Sequence, residues 1–218
     1  MRIGIIGAGK IGSTLASELS HSGHHVMIAN SRGPETLDDL EYELRHMAPP
    51  GAHPRAASAS DAAHDADVVI LAIPYGHIPD LPSNMAQGKT LVDATNYYPE
   101  RDGHVAELDA HEATSSELVR DHFPDARVVK AFNTMRWDHV RDFARSGGSP
   151  MRYGMPVAAD DEDAKRIVAD LVSDMGFAPV DAGGLADGGR KQEPGSPIYT
   201  ADLEADDLAT QIGGARLD

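Results

Sequence analysis

Short apolar runs alternate along the chain with stretches in which apolar residues recur every three or four positions. Ile3-Gly4-Ile5-Ile6 opens the series as a buried strand, and Ile11, Leu15 and Leu19 follow at the four-residue spacing of a helix. A second strand is expected at His25–Ala29, ending at Asn30. The next helix is expected over Glu35–Met47, with Pro34 at its start and acids in its first turns. Its apolar stripe is Leu37, Leu40, Leu44 and Met47, and Pro49-Pro50-Gly51 ends it. Residues 52–66 carry a weaker pattern, a short strand near Arg55–Ala57 and a short helix from Ser60 or Asp61. Asp67–Pro74 is the clearest buried strand, a continuous apolar run of the kind a parallel strand covered on both faces shows. Lys89–Asn96 reads as another strand. Ser115–His122 reads as a short helix capped by Ser115 or Ser116, and Ala126–Phe132 as a strand ending at Asn133-Thr134.

Beyond these, Ser146–Pro150 has the composition of a loop. Met155–Ala159 reads as a strand, with Pro156 favouring its beginning or a sheet edge. A helix over Asp161–Met175 buries Ala164, Ile167, Val168, Leu171, Val172 and Met175, and Gly176 stops it. Phe177–Asp181 returns as a strand and Ala182-Gly183-Gly184 opens a loop. Glycine, proline and charge between Ala186 and Pro197 predict a surface or active-site loop, and a short acidic helix is expected near Ala201–Gln211. No internal repeat is visible. Strand and helix alternate, so the fold class is α/β: a Rossmann-like doubly wound, mostly parallel sheet with a small C-terminal α/β extension. The expected division is a nucleotide-binding part over residues 1–145 and a smaller part over 146–218 that completes the substrate side.

The chemistry enters at the first turn. Gly7-Ala8-Gly9-Lys10-Ile11-Gly12 joins the first strand to the first helix without a gap. In this pattern the first glycine permits the tight turn, the second lets a diphosphate approach the backbone, and the third lets helix pack on strand. The free amides at the helix start then hold phosphate. An acid expected about 20 residues on, to take a ribose 2′-hydroxyl, is missing. The second strand instead ends in Asn30-Ser31-Arg32-Gly33-Pro34, where a hydroxyl and a guanidinium suit a 2′-phosphate, so NADP(H) is favoured over NAD(H).

In a doubly wound sheet the remaining polar strand ends meet over the nicotinamide half of such a cofactor. They are Pro74-Tyr75-Gly76-His77, Thr95-Asn96-Tyr97-Tyr98 and Asn133-Thr134. Each residue alone reads equally well as a turn or a helix cap. Asn96 and Asn133 are counted with the cofactor contacts. Tyr75, His77 and Asn133 are the candidates for a catalytic role, and no role is assigned to them.

Composition narrows the partners. The formal charge of −16 over 218 residues argues against nucleic acid, which needs a basic surface. Cysteine is absent, which excludes thiol catalysis, disulfides and cysteine-bound zinc. No run has the length of a membrane span, the opening apolar run is too short for a signal peptide, and a cytoplasmic protein is expected. The eleven histidines show no metal-site spacing, so no metal is expected, and no G-x-S-x-G elbow occurs. The acidic runs Asp160–Asp163 and Glu204–Asp207 read as helix starts facing water, and Trp137 beside Arg136 as packing or a pocket wall.

Together, Arg2–Ala16, the Ser31-Arg32 pair, Ala72–His77 and Val128–Thr134 resemble the NADPH-dependent deazaflavin (coenzyme F-420) reductases, the deazaflavin-dependent NADP oxidoreductases. Pro156 through Leu185 is similar to that family's closing segment. The resemblance implies hydride transfer between a nicotinamide and a deazaflavin ring (coenzyme F-420) by a protein that is often a homodimer. Carried over by position, Gly7–Gly12 forms the phosphate loop and Ser31 and Arg32 hold the 2′-phosphate. Ile73, Pro74, Tyr75 and His77 line the nicotinamide and ribose. The chain departs from the family after the closing strand, where members acting on deazaflavin are markedly apolar and this chain reads Asp187–Pro197, with Arg190 and Lys191 placed either to meet an anionic acceptor or as exposed loop charges. Two other readings stay open. One is an NADPH-dependent reductase of a small imine or carbonyl compound, protonated by Tyr75, His77 or Lys130. The other is a non-catalytic NADP(H)-binding redox sensor.

Overall fold

The computed structural model describes residues 1–144 and 152–217, so the expected loop at Ser146–Pro150 lies outside the described residues. The strands are β1 (Arg2–Ile6), β2 (His25–Ala29), β3 (Arg55–Ala56), β4 (Val68–Leu71), β5 (Thr90–Asp93), β6 (Arg127–Lys130), β7 (Gly154–Ala159) and β8 (Ala178–Gly183). The helices are α1 (Lys10–His21), α2 (Asp38–Met47), α3 (Ala59–Asp65), α4 (Pro99–Asp102), α5 (Ala106–Asp109), α6 (Ser115–His122), α7 (Trp137–Phe143), α8 (Glu162–Asp174), α9 (Leu185–Gln192) and α10 (Ala205–Ile212).

One eight-stranded sheet runs in the order β3-β2-β1-β4-β5-β6-β7-β8. Neighbours are parallel except β6 and β7, so the chain reverses direction once, where the C-terminal strands join. Ile3 pairs with Val26 on one side and Val68 on the other, which puts β1 between β2 and β4 and the switch of winding between β1 and β4. This is the Rossmann-like doubly wound fold. Successive residues of β4 enter opposite cores: Val68 and Ile70 pack with Leu15, Leu19, Leu44 and Val168, while Val69 and Leu71 pack with Ala62, Val119 and Phe123. Helices therefore cover both faces, and the unbroken apolar run of β4 follows from that.

Several local expectations are corrected. Pro34–Leu37 is a separate 3₁₀ turn and α2 starts at Asp38; Met47 is 39% exposed and stands outside the buried stripe. Ser58, not a later residue, caps α3 by accepting from the Asp61 amide at 3.1 Å. Thr114, not Ser115 or Ser116, caps α6, with Glu117 returning the bond in a capping box. Pro156 lies inside β7 rather than at its beginning. The Gly154 amide bonds Leu203 on the side away from β8, and by alternation Pro156 presents its missing N–H to that same side, beyond the reach of β6. β8 continues to Gly183, through what was expected to be a loop.

The largest correction is α9, which occupies the segment expected to be a loop. A Cβ on Gly188 would lie 2.6 Å from Ala158 Cβ and 2.7 Å from the Ala182 carbonyl, and one on Gly189 would meet Thr114 Oγ1 at 3.3 Å. The glycine pair sets this helix directly on the sheet and against the start of α6. α4, α5 and α7 are short helices that the apolar pattern does not announce. Among the described residues no helix is long and apolar enough to cross a membrane.

Candidate active site

The strand-to-helix corner is built by sterics. Gly7 has φ +116°, and a Cβ there would lie 2.3 Å from the Ala72 carbonyl; one on Gly12 would lie 1.9 Å from the Gly7 carbonyl. A Cβ on Gly9 would meet nothing within 4 Å, because that face opens into the cleft. The first intrahelical bond at this end runs from the Ser13 amide to the Gly9 carbonyl, so the amides of Lys10, Ile11 and Gly12 have no carbonyl one turn back. An open, amide-lined cradle at the positive end of a helix suits a diphosphate.

A cavity of about 540 Å³ runs from this cradle to the end of β2, lined by Gly7, Gly9, Asn30, Ser31, Arg32 and His77 among others. Asn30 shapes its rim: Oδ1 accepts from the Arg32 amide at 2.9 Å, and Nδ2 donates to Thr36 Oγ1 at 2.9 Å. Ser31 and Arg32 are exposed, and the Arg32 guanidinium has no hydrogen-bond or ion-pair partner among the described residues. The residues present thus fit a nucleotide with an additional phosphate.

A second cavity, of about 400 Å³, lies at the ends of β4, β5 and β6. It shares Gly9, Ala72, Ile73 and Pro74 with the first, so the two form one groove over the Ile73-Pro74 ridge. Lys10, Ile11, Asn96 and Asn133 line this chamber, joined by Tyr98, Arg101, Phe132, Arg136, Trp137, Tyr199 and Thr200. Asn133, 4% exposed, donates through Nδ2 to Asn96 Oδ1 at 3.0 Å and to the Gln192 carbonyl at 2.8 Å, while its Oδ1 is buried with no partner among the described residues. Phe132 and Thr200, with φ +65° and +60°, are two of the four non-glycine residues in the left-handed region among the described ones, and both face this chamber. Its charged lining is Lys10, Arg101 and Arg136, with no acidic side chain among the described residues, in a chain of net charge −16.

Behind the chamber a fully buried ion pair fixes the β5 loop. Lys130 Nζ donates to Asp93 Oδ2 at 3.0 Å and to the Thr95 carbonyl at 2.6 Å. Asp93 also accepts from the Thr95 amide and hydroxyl and from Ser116 Oγ. Burial alone would raise the Asp93 carboxyl; Lys130 and these hydrogen bonds overcome it and hold the group below the ordinary carboxylate range.

The groove thus sorts the expected residues. His77 lies at the Ser31-Arg32 end, paired with Asp80 at 3.2 Å, and not over the strand-end chamber. Tyr75 turns into the core edge-on to Tyr97, lines neither cavity, and has its hydroxyl pushed up by burial. Lys130 is committed to Asp93 and lines neither cavity. Arg190 is tied to Glu193 and to the His111 and Ala113 carbonyls, Lys191 points to the Ala182 carbonyl, and neither meets the groove. Of the catalytic candidates only Asn133 enters the chamber. Tyr199 and Thr200 had no local signal; they arrive through a long-range bond from the Thr200 amide to the Thr134 carbonyl at 2.7 Å.

Fold and groove define a Rossmann-type oxidoreductase that takes a phosphorylated dinucleotide. Residues 2–97 match the family described as NADP oxidoreductase, coenzyme F420-dependent. The chain is 35% identical to the hypothetical protein SMa0349 of Sinorhizobium meliloti, with a TM-score of 0.80 and coverage of 94% of this chain and 95% of that one. It is 27% identical to a protein of Arthrobacter sp. FB24 provisionally described as an F420-dependent NADP reductase, with a TM-score of 0.67 over 88% and 89% of the two chains. An imine reductase of Myxococcus stipitatus solved with NADP⁺ shares the fold at 18% identity, with a TM-score of 0.58 over 88% of this chain and 57% of that one. No curated protein sequence matches the chain. Residues 2–97 are thus similar to the F420-dependent NADP oxidoreductase family, and the chain is an NADP-dependent oxidoreductase.

Proposed function

We propose that the protein moves hydride between NADP(H) and a deazaflavin of the coenzyme F420 type, with the acceptor ring in the strand-end chamber. The observation that carries this reading is the continuity of the groove, from the exposed Arg32 guanidinium, across the open face of Gly9, to the cation-lined chamber. The α1 amides and Gly9 hold the diphosphate, and Ser31 and Arg32 hold the 2′-phosphate. Ile73 and Pro74 support the ribose, and the orphaned Asn133 Oδ1 accepts from the carboxamide of the nicotinamide. Bound NADP(H) supplies the hydride; the protein aligns two rings and excludes water. Residues 1–145 then serve as the cofactor half, and 146–218 complete the acceptor side through Tyr199 and Thr200. The family resemblance further implies a homodimer, which sedimentation would register as twice the chain mass.

Purified protein mixed with NADPH and oxidised deazaflavin should consume both in equal amounts, followed by their absorbances. No loss of either rejects the acceptor. The polar Tyr98, Tyr199 and Asn96 groups favour a second reading, reduction of a small imine or carbonyl compound, which NADPH oxidation with a cyclic imine and no deazaflavin would support.

A further inference from the structure

Hydride arriving at a ring carbon leaves negative charge on the conjugated heteroatom, and that atom must gain a proton. The chamber holds a pair of groups suited to supply it. Tyr98, after β5, and Tyr199, after α9, join hydroxyl to hydroxyl. Both line the chamber. The Arg101 guanidinium lies 4.9 Å over the Tyr98 ring, held by Asp102 through Nε at 2.8 Å and Nη2 at 2.7 Å and by the Asn96 carbonyl at 2.6 Å. The Asp102 side chain is buried, so Arg101 is oriented from behind and keeps its charge beside the hydroxyls. Thr95, another hydroxyl in the wall, already donates to Asp93.

We propose that the Tyr98–Tyr199 hydroxyl couple, backed by Arg101, is the proton source of the reduction. One tyrosine O–H bond breaks, its proton passes to the acceptor heteroatom, and the electron pair stays on the phenolate. The acceptor carbon has meanwhile gained hydride from the nicotinamide, which is oxidised by two electrons. The partner hydroxyl returns a proton to the phenolate, Arg101 stabilises the charge while it lasts, and water recharges the pair. This proposal rests on the hydride-transfer reading, with deazaflavin or a small imine as acceptor.

Tyr98→Phe and Tyr199→Phe keep the rings and remove one hydroxyl each. With deazaflavin as acceptor each should lower kcat by about 100-fold, the scale of a lost general acid. Because the pair acts as a unit, the double variant should be no slower than the slower single one. The NADPH dissociation constant, read from the fluorescence of the bound nucleotide, should stay unchanged. Turnover within about threefold of the parent, strictly multiplicative losses, or a parallel loss of NADPH affinity overturns the proposal, the last marking a structural role. A parent protein idle toward deazaflavin overturns the proposed acceptor alone. The couple is then decided without turnover, in NADP⁺-saturated protein labelled with carbon-13 at tyrosine Cζ. In Tyr98→Phe the Tyr199 signal at neutral pH should move from its position in the parent, because its hydroxyl loses its partner, and an unmoved signal overturns the couple.

Discussion

Asn96 and Asn133 hold each other across the ends of β5 and β6, Asn133 Nδ2 reaching Asn96 Oδ1 and Asn96 Nδ2 reaching the Asn133 carbonyl, both at 3.0 Å. The pair closes the inner wall of the chamber and leaves one acceptor, Asn133 Oδ1, without a protein partner among the described residues. Asn133→Ala strips the donor from Asn96 Oδ1 and from the Gln192 carbonyl. It should cost about 1–3 kcal/mol of stability and raise the KM for NADPH, measured by urea unfolding and initial rates. Unchanged values in both would remove Asn133 from the site.

Arg32 has its backbone fixed by Asn30 and its guanidinium without a partner among the described residues. Arg32→Ala should weaken NADPH by roughly 10- to 100-fold and leave NADH nearly unchanged, since only the former carries the 2′-phosphate. Titrating both nucleotides checks this; equal weakening would count against the assignment.

Two glycines of the same loop should fail differently. Gly9→Val places its side chain in open space, so the melting temperature should hold while nucleotide binding disappears. Gly12→Ala drives a Cβ toward the Gly7 carbonyl and should lower the melting temperature even without nucleotide. Thermal unfolding with and without NADPH separates them.

Lys130→Met leaves the Asp93 carboxylate buried and unpaired, at a cost of about 3–5 kcal/mol near neutral pH. In the parent, the depressed Asp93 contributes stability above the unfolded carboxylate range and loses it as pH falls through its lower folded value. In the variant Asp93 loses the largest contribution opposing burial and lies higher than in the parent, so lowering the pH from neutral should narrow the gap between the two proteins. Urea midpoints at neutral and mildly acidic pH test the sign.

Parts of the first half of the fold were legible because local rules act there without competition. Ile3–Ile6, the glycines of the first turn and Asp67–Pro74 each state their structure within a few residues. The Asp187–Gln192 segment was not legible, because Gly188 and Gly189 signal a loop by propensity while their small size is what lets α9 lie on β7 and β8. Tyr75 and Lys130 were misplaced for a related reason: a strand-end position says that a side chain is near the cleft, and only packing says which way it turns.

The amino-acid order by itself determined the glycine turn between β1 and α1 and the Ser31-Arg32 end of the groove, because backbone sterics and the absence of an acid are properties of adjacent residues. The sequence also placed Asn96 and Asn133 at the strand ends, and the tertiary structure alone brought Tyr199 and Thr200 to the chamber. Its Tyr98–Tyr199 contact joins positions 101 residues apart, and no local pattern encodes a contact made by the closing of a sheet.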